Sequence, residues 1–290
     1  MTVAACTIAS PPPEGGFRIT ERDFRQIAAL LRAEAGISLP PSKTALVQGR
    51  LMRRLRALGI DSFADYCAFV GAAGGEAERD EMVAALTTNV TRFFREPHHF
   101  DHLRTVVLPP LLHTARRGAR VRLWSAGCST GQEPYTIALT VLSLMPDAGD
   151  GDVRVLATDI DPHVLATAAA ASYDEEAVAS IPAALRARYV KPDPGHRDMA
   201  RLADDVRRLV AFKRLNLNGT WPMKGRFDAI FCRNVAIYFD APTQHRLWSR
   251  FAERLVSGGW LYIGHSERVD GAAEAQFVAQ GKTTYRLVGA

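Results

Sequence analysis

Over its first third the chain places apolar residues at helical spacing. Between 20 and 35, Phe24, Ile27, Ala28 and Leu31 fall on one helix face, Thr20 with Asp23 reads as a capping box, and Gly36 suits the stop. Pro40-Pro41 interrupts, and a second helix over 42–58 carries the stripe Val47, Leu51, Leu55 and Leu58. Its other side holds Arg50, Arg53, Arg54 and Arg56, which the pattern turns partly outward. Ser62 and Asp65 open a third helix to about 70, and a fourth covers 76–87. This part is all-helical.

After Arg120 the period changes. Short apolar runs at 121–125, 153–158, 227–232 and 260–264 alternate with helical patterns at 133–144, 162–171 and 242–256. Strand–helix alternation predicts βαβ units and a doubly wound, Rossmann-like α/β sheet. The end, "FVAQGKTTYRLV", predicts an antiparallel hairpin closing one sheet edge. From 186 to 217 the rhythm lapses, and "MARLADDVRRLVAFKRLNL" reads as a small antiparallel insertion over about 186–215. The expected organisation is a disordered tail over 1–16, a small helical domain over 17–88 and an α/β domain over 89–290.

Composition narrows the class. The 290 residues are 47% hydrophobic, which suits a folded soluble protein, and no apolar run reaches the length that spans a bilayer. The start lacks the basic and apolar regions of a signal peptide. Cys6, Cys67, Cys128 and Cys232 are scattered without a Cys-x-x-Cys pair, which argues against zinc and against a disulfide framework, and suits a reducing cytoplasm. The net charge of +5 points to an acidic partner: nucleic acid, lipid headgroups or an acidic protein surface.

The chemistry concentrates in four stretches. In "VRLWSAGCSTGQEPYTIAL", Gly127, Ser129 and Gly131 form Gly-x-Ser-x-Gly, which serves either as a hydrolase nucleophile elbow or as a glycine cradle for a cofactor. The strand before Ser129 is the first of the sheet and no His-Gly-Gly-Gly loop precedes it, so the cradle is favoured. "ATDID" ends the second strand, where an acid can accept both hydroxyls of a ribose; Asp159 is the first candidate and Asp161 the fallback. "LTTNVTRFFREPHHF" supplies Asn89, Thr91 and Arg95, and its His98 and His102 stand four apart, without the further ligand cluster a metal needs; no metal is expected. "FDAIFCRNVAIYF" puts Arg233, Asn234 and Val235 at a strand's active end with Tyr238 close behind, while His265, Ser266 and Glu267 cap the next strand.

Five of these pieces, "TTNVTRFFRE", "WSAGCSTGQEPYT", "ATDID", "FCRNVAIYF" and "GHSE", occur in the order found in the chemotaxis receptor protein-glutamate O-methyltransferases, and the chain resembles that CheR-type family over about 18–287. The resemblance implies S-adenosylmethionine as cofactor, S-adenosylhomocysteine as product and receptor glutamates as acceptors. By motif match, Asn89, Thr91, Arg95, Gly127, Glu133, Asp159, Asn216, Leu217, Asn234 and Val235 would bind the cofactor, with Asp159 on the ribose and Asn216-Leu217 beside the adenine. Arg95 and Tyr238 would face methyl transfer, and Arg50, Arg53, Arg54 and Arg56 would dock the acidic receptor helix. The family also implies a cytoplasmic monomer recruited to membrane receptors, with the β insertion as a place for a receptor tail and no nucleic-acid partner or membrane insertion. Thr136 and Ala236 depart from the family's usual residues without touching a polar contact, and the insertion is its least matched part. Two alternatives are an RNA methyltransferase, suggested by the basic charge but lacking an aromatic stacking platform, and a cofactor-sensing regulator without catalysis, which the retained Arg95 and Tyr238 disfavour.

Overall fold

A computed structural model describes residues 18–288; the tail expected over 1–16 lies outside them. The described residues form two compact units, one of 18–30 and 40–86, the other of 31–39 and 87–288.

The first unit is helical, as expected. α1 (Glu21–Ala35) begins in it, followed by α2 (Thr44–Leu58), α3 (Phe63–Gly71) and α4 (Glu76–Leu86). The Thr20 N–H donates to Asp23 Oδ2 at 3.0 Å, and the Asp23 N–H donates back to Thr20 Oγ1 at 3.2 Å, closing the capping box. Val47, Leu51 and Leu55 are buried, but Leu58, at the end of the expected stripe, is exposed.

The second unit is built on seven strands. α5 (Pro97–His102), a π-helical turn (Leu103–Val107) and α6 (Leu108–Ala115) precede the sheet. Then come β1 (Val121–Ala126), α7 (Gln132–Leu144), β2 (Val153–Asp159) and α8 (Pro162–Ala170). Next are β3 (Ser172–Asp174), α9 (Glu175–Ala179), α10 (Ala183–Tyr189), β4 (Val190–Pro192), β5 (Met199–Leu202), α11 (Asp204–Arg207) and β6 (Val210–Arg214). β7 (Phe227–Cys232), α12 (Ala241–Arg254), β8 (Leu255–Ile263), β9 (Phe277–Gly281) and β10 (Thr284–Leu287) complete it.

The sheet order is β6-β2-β1-β7-β8-β10-β9. The first five strands are parallel, and β10 pairs antiparallel with β8 and β9, the expected closing hairpin. β1 and β7 read as near-continuous apolar runs because helices cover both their faces. Successive strands step from β1 out to β6 and return to β7 on the other side of β1. That reversal opens a crevice at the carboxyl ends of β1 and β7.

The small antiparallel sheet exists, in the order β3-β5-β4, but its bounds need correcting. It spans 172–202 rather than 186–215, and β6 belongs to the main sheet, pairing Val155 with Val210 and Ala157 with Phe212. β6 is an edge strand with no fully buried residue, so it lacks the apolar run of its neighbours and reads like half of a hairpin.

Candidate functional site

The crevice is lined by backbone that few side chains could adopt. After β1, Gly127 has φ +86°, Ser129 +49° and Gly131 +96°. A Cβ on Gly127 would lie 2.4 Å from Val235 Cγ2, so only glycine lets the two loops close. Asn234, just past β7, is also left-handed at φ +60°. Strained residues of this kind gather where the surrounding structure holds a ligand site in one shape.

Ser129 is no nucleophile here. Its Oγ donates to Asn89 O at 2.8 Å, and no histidine engages it among the described residues. Its N–H donates to Asp159 Oδ2 at 2.8 Å, while the Asp161 N–H reaches Asp159 Oδ1 at 3.1 Å. Asp159 is 8% exposed at the tip of β2, and burial raises its carboxyl pKa against the opposing pull of those N–H groups. Each oxygen keeps a lone pair for a hydroxyl donor. Asp161, the fallback, is committed elsewhere: Oδ1 caps α8 through the His163 N–H at 2.8 Å, and Oδ2 takes Asn89 Nδ2 at 3.0 Å.

Behind the crevice lies a buried charge network. Arg233 reaches Glu133 Oε2 at 3.1 Å and Glu96 Oε2 at 3.2 Å, and donates to Arg95 O. Ser125 Oγ donates to Glu133 Oε1 at 2.7 Å. Burial raises the Glu133 carboxyl, with Arg233 opposing. For Glu96 burial also acts upward, but His265, whose Nδ1 lies 2.9 Å from Oε1, and Arg233 outweigh it and bring the carboxyl to about 2. His99 beside it is held neutral, lowered to about 3 by burial and by Arg233. Glu96, His98 and His99 bring donor atoms within 4.8 Å of one another, yet the Arg233 guanidinium already neutralises that carboxylate. His98 and His102, four apart in the chain, turn to different partners: His102 Nδ1 meets Tyr262 Oη at 2.9 Å, while the His98 ring lies against His99.

The remaining expected residues are held in different ways. Arg95 is anchored by one bond, Nη1 to Val90 O at 3.0 Å, and its other donors have no acceptor among the described residues. Tyr238 ends a 3-10 turn (Ala236–Tyr238); its carbonyl accepts the Ser38 N–H at 2.8 Å, and its hydroxyl has no partner among the described residues. Asn216 and Leu217 follow β6, set beside Asp159 by the Leu215 N–H to Asp159 O bond at 2.9 Å. Asn216 is tied to Glu34 O and to the Asn218 N–H, and Leu217 O accepts Arg250 Nη1 at 2.7 Å. Thr91 is half-buried on the Asn89–Arg95 segment. A cleft of about 490 Å³ lined by Phe94, Pro97, Phe100, Arg104, Thr140 and Leu185 contains none of the expected cofactor residues.

Sequence reasoning underrated three residues: Glu96, Arg233 and Glu267. Arg233 directly follows the buried end of β7 and Glu267 lies in the turn that follows the buried end of β8, and those positions were the available signal. The four arginines expected on the outer side of α2 divide into two pairs. Arg50 donates to Leu86 O at 2.9 Å, and Arg54 pairs with Glu78 at 2.6 Å and Glu81 at 3.0 Å, so both serve the helical unit's own packing. Arg53 and Arg56 are exposed.

The residues fit an S-adenosylmethionine site: a glycine loop with no room for a Cβ, a buried carboxylate at the next strand end and polar side chains on the third. No helix of the described residues is long and apolar enough to cross a membrane. Residues 89–285 match the model of the CheR methyltransferase, SAM binding domain, and residues 22–87 that of the CheR methyltransferase, all-alpha domain. A probable chemotaxis protein methyltransferase of Rhizobium etli is 53% identical over 258 residues, covering 89% of this chain and 96% of the relative. Chemotaxis protein methyltransferase 2 of Pseudomonas aeruginosa is 42% identical (89% and 92% covered), and a chemotaxis protein methyltransferase of Klebsiella aerogenes 40% (93% and 90%). With both domains matched in order along the chain, the chain belongs to the CheR methyltransferase family and is an S-adenosylmethionine-dependent methyltransferase of chemotaxis.

Proposed function

We propose that the methyl group goes to glutamate side-chain carboxylates of chemotaxis receptors, giving methyl esters and S-adenosylhomocysteine. The observation that carries this reading is Arg95: a guanidinium bound through one N–H only, on the loop that Ser129 ties to the glycine cradle through Asn89 O. Its unspent donors match the planar fork of a carboxylate.

The chemistry asks little beyond placement. A glutamate side chain is ionised at neutral pH and needs no general base. The cofactor supplies an electrophilic methyl whose carrier leaves as a neutral thioether. Opposite charges are thus annihilated along the path, and the protein's task is to hold oxygen, carbon and sulfur in line. Arg95 orients one carboxylate oxygen without over-stabilising it, and the Tyr238 hydroxyl positions the other. Asp159 takes the ribose hydroxyls, Gly127 and Val235 hold the nucleoside close, and Asn89, Thr91, Asn216, Leu217 and Asn234 complete the pocket. Glu133 holds the cofactor from the start of α7, and it also holds Arg233 and through it the carbonyl of Arg95.

The acceptor is an acidic receptor helix, met by the exposed Arg53 and Arg56 of the cytoplasmic enzyme at the membrane receptors; such charges speed encounter and fix register. Incubation with labelled S-adenosylmethionine and receptor-bearing membranes tests the reading. Label on the receptor, released by base, supports it; label on added RNA, or base-stable label, contradicts it.

A further inference from the structure

Glu267 is 8% exposed, yet forms no ion pair among the described residues. Four backbone N–H groups satisfy it instead. Oε1 accepts those of Val235 at 3.0 Å and Ile237 at 3.2 Å, and Oε2 accepts that of Asn234 at 3.0 Å and that of Gly264. A buried carboxylate is costly unless fully bonded, and here bonding means that one turn of backbone wraps around it. That turn would not keep its shape unaided. Asn234 sits at φ +60°. A Cβ on Gly264 would stand 2.6 Å from Asn234 Nδ2 and 2.7 Å from its backbone nitrogen, so β8 leaves room for no other path. Asn234, Val235 and Tyr238 all project from this turn.

We propose that Glu267 is a positioning residue of methyl transfer: its carboxylate sets the 234–237 turn so that Asn234 and Val235 meet the cofactor and Tyr238 meets the acceptor. It touches neither reactant. The assignment rests on the reading of the site given above.

Glu267→Gln tests it. Glutamine keeps the volume but has one acceptor oxygen, and its NH₂ must face two N–H donors whichever way it turns. Half the wrapping is lost. Calorimetry should show S-adenosylhomocysteine affinity falling about tenfold or more, the scale of hydrogen bonds to a charged group. At saturating cofactor, kcat should fall as well. Tyr238→Phe lowers kcat by removing the hydroxyl itself, and the double variant should fall no further than the worse single one, because both act through that hydroxyl. Glu267→Asp, which keeps the charge, should recover part of both losses. Gly264→Ala, which pushes the same turn from β8, should share the phenotype and stands in if Glu267→Gln fails to fold.

A folded Glu267→Gln variant with wild-type affinity and kcat overturns the proposal. So do kcat losses that multiply in the double variant, and so does unfolding of both Glu267→Gln and Gly264→Ala, since each makes the residue scaffold alone. If wild-type enzyme labels no receptor, the acceptor reading fails, while the affinity arm still decides whether Glu267 holds the turn.

Discussion

Gly127→Ala measures how tightly the cradle is built. Two costs act on the folded chain. An L-residue forced to φ +86° loses about 1–2 kcal/mol to the clash of its Cβ with backbone. The new Cβ also lies 2.4 Å from Val235 Cγ2, so one must retreat by about an ångström to reach ordinary contact near 3.5 Å. Overpacking of this kind costs roughly 1–3 kcal/mol. Alanine stiffens the unfolded chain and returns about 0.4–1 kcal/mol, leaving a net loss of about 1–5 kcal/mol. Urea denaturation checks the stability, and calorimetry with S-adenosylhomocysteine checks the pocket, whose affinity should fall because Val235 is displaced. Val235→Ala removes the methyl that collides but leaves the φ strain. The double variant should therefore be more stable than the sum of the single losses by the overpacking contribution. Strict additivity, or a Gly127→Ala enzyme that binds like wild type, would refute the close approach of the two loops.

Asp159→Ala should weaken S-adenosylhomocysteine binding by about 1.5–3 kcal/mol, whereas Asp161→Ala, which removes a helix cap, should mainly cost about 1 kcal/mol of stability; calorimetry and thermal melts separate them. Arg95→Ala should lower kcat far more than cofactor affinity, and steady-state kinetics showing only an affinity defect would make it a binding residue alone. Stability should fall on acidification, read as Tm against pH. His99 sits near 3 in the fold against 6.5 unfolded, so its contribution is complete above 6.5 and drains toward 3; Glu96 sits near 2 against 4.5, so its share drains between 4.5 and 2. Arg53→Glu with Arg56→Glu should slow receptor methylation at low salt with cofactor affinity unchanged, and added salt should mimic the loss in wild type, as screening shortens the reach of exposed charges to about 8 Å.

Elements whose physics is local were readable in advance. The Thr20–Asp23 box, the Ser62 helix cap and the buried runs of β1 and β7 each follow from a few neighbouring residues. The glycine cradle was legible too, because Gly127 and Gly131 stand between a strand and a helix. What escaped depends on partners far away in the chain. Arg233 and Glu133 are 100 residues apart, and Glu267 meets the 234–237 turn from 30 to 33 residues further on. Periodicity turned Arg50 and Arg54 outward correctly as Cα positions, but their long side chains bend to the carboxyl end of α4 and to Glu78. β6 was misplaced because an edge strand lacks the apolar signature of the strands it joins.

The proposed act of this crevice is esterification of a carboxylate oriented by Arg95. Its most direct test is mass spectrometry of receptor peptides after incubation with enzyme and S-adenosylmethionine. One added methyl is expected on glutamate side chains, removed by mild base, and nearly absent with Arg95→Ala at saturating cofactor. A methyl on any other atom, or glutamate esters formed equally well without Arg95, would contradict it.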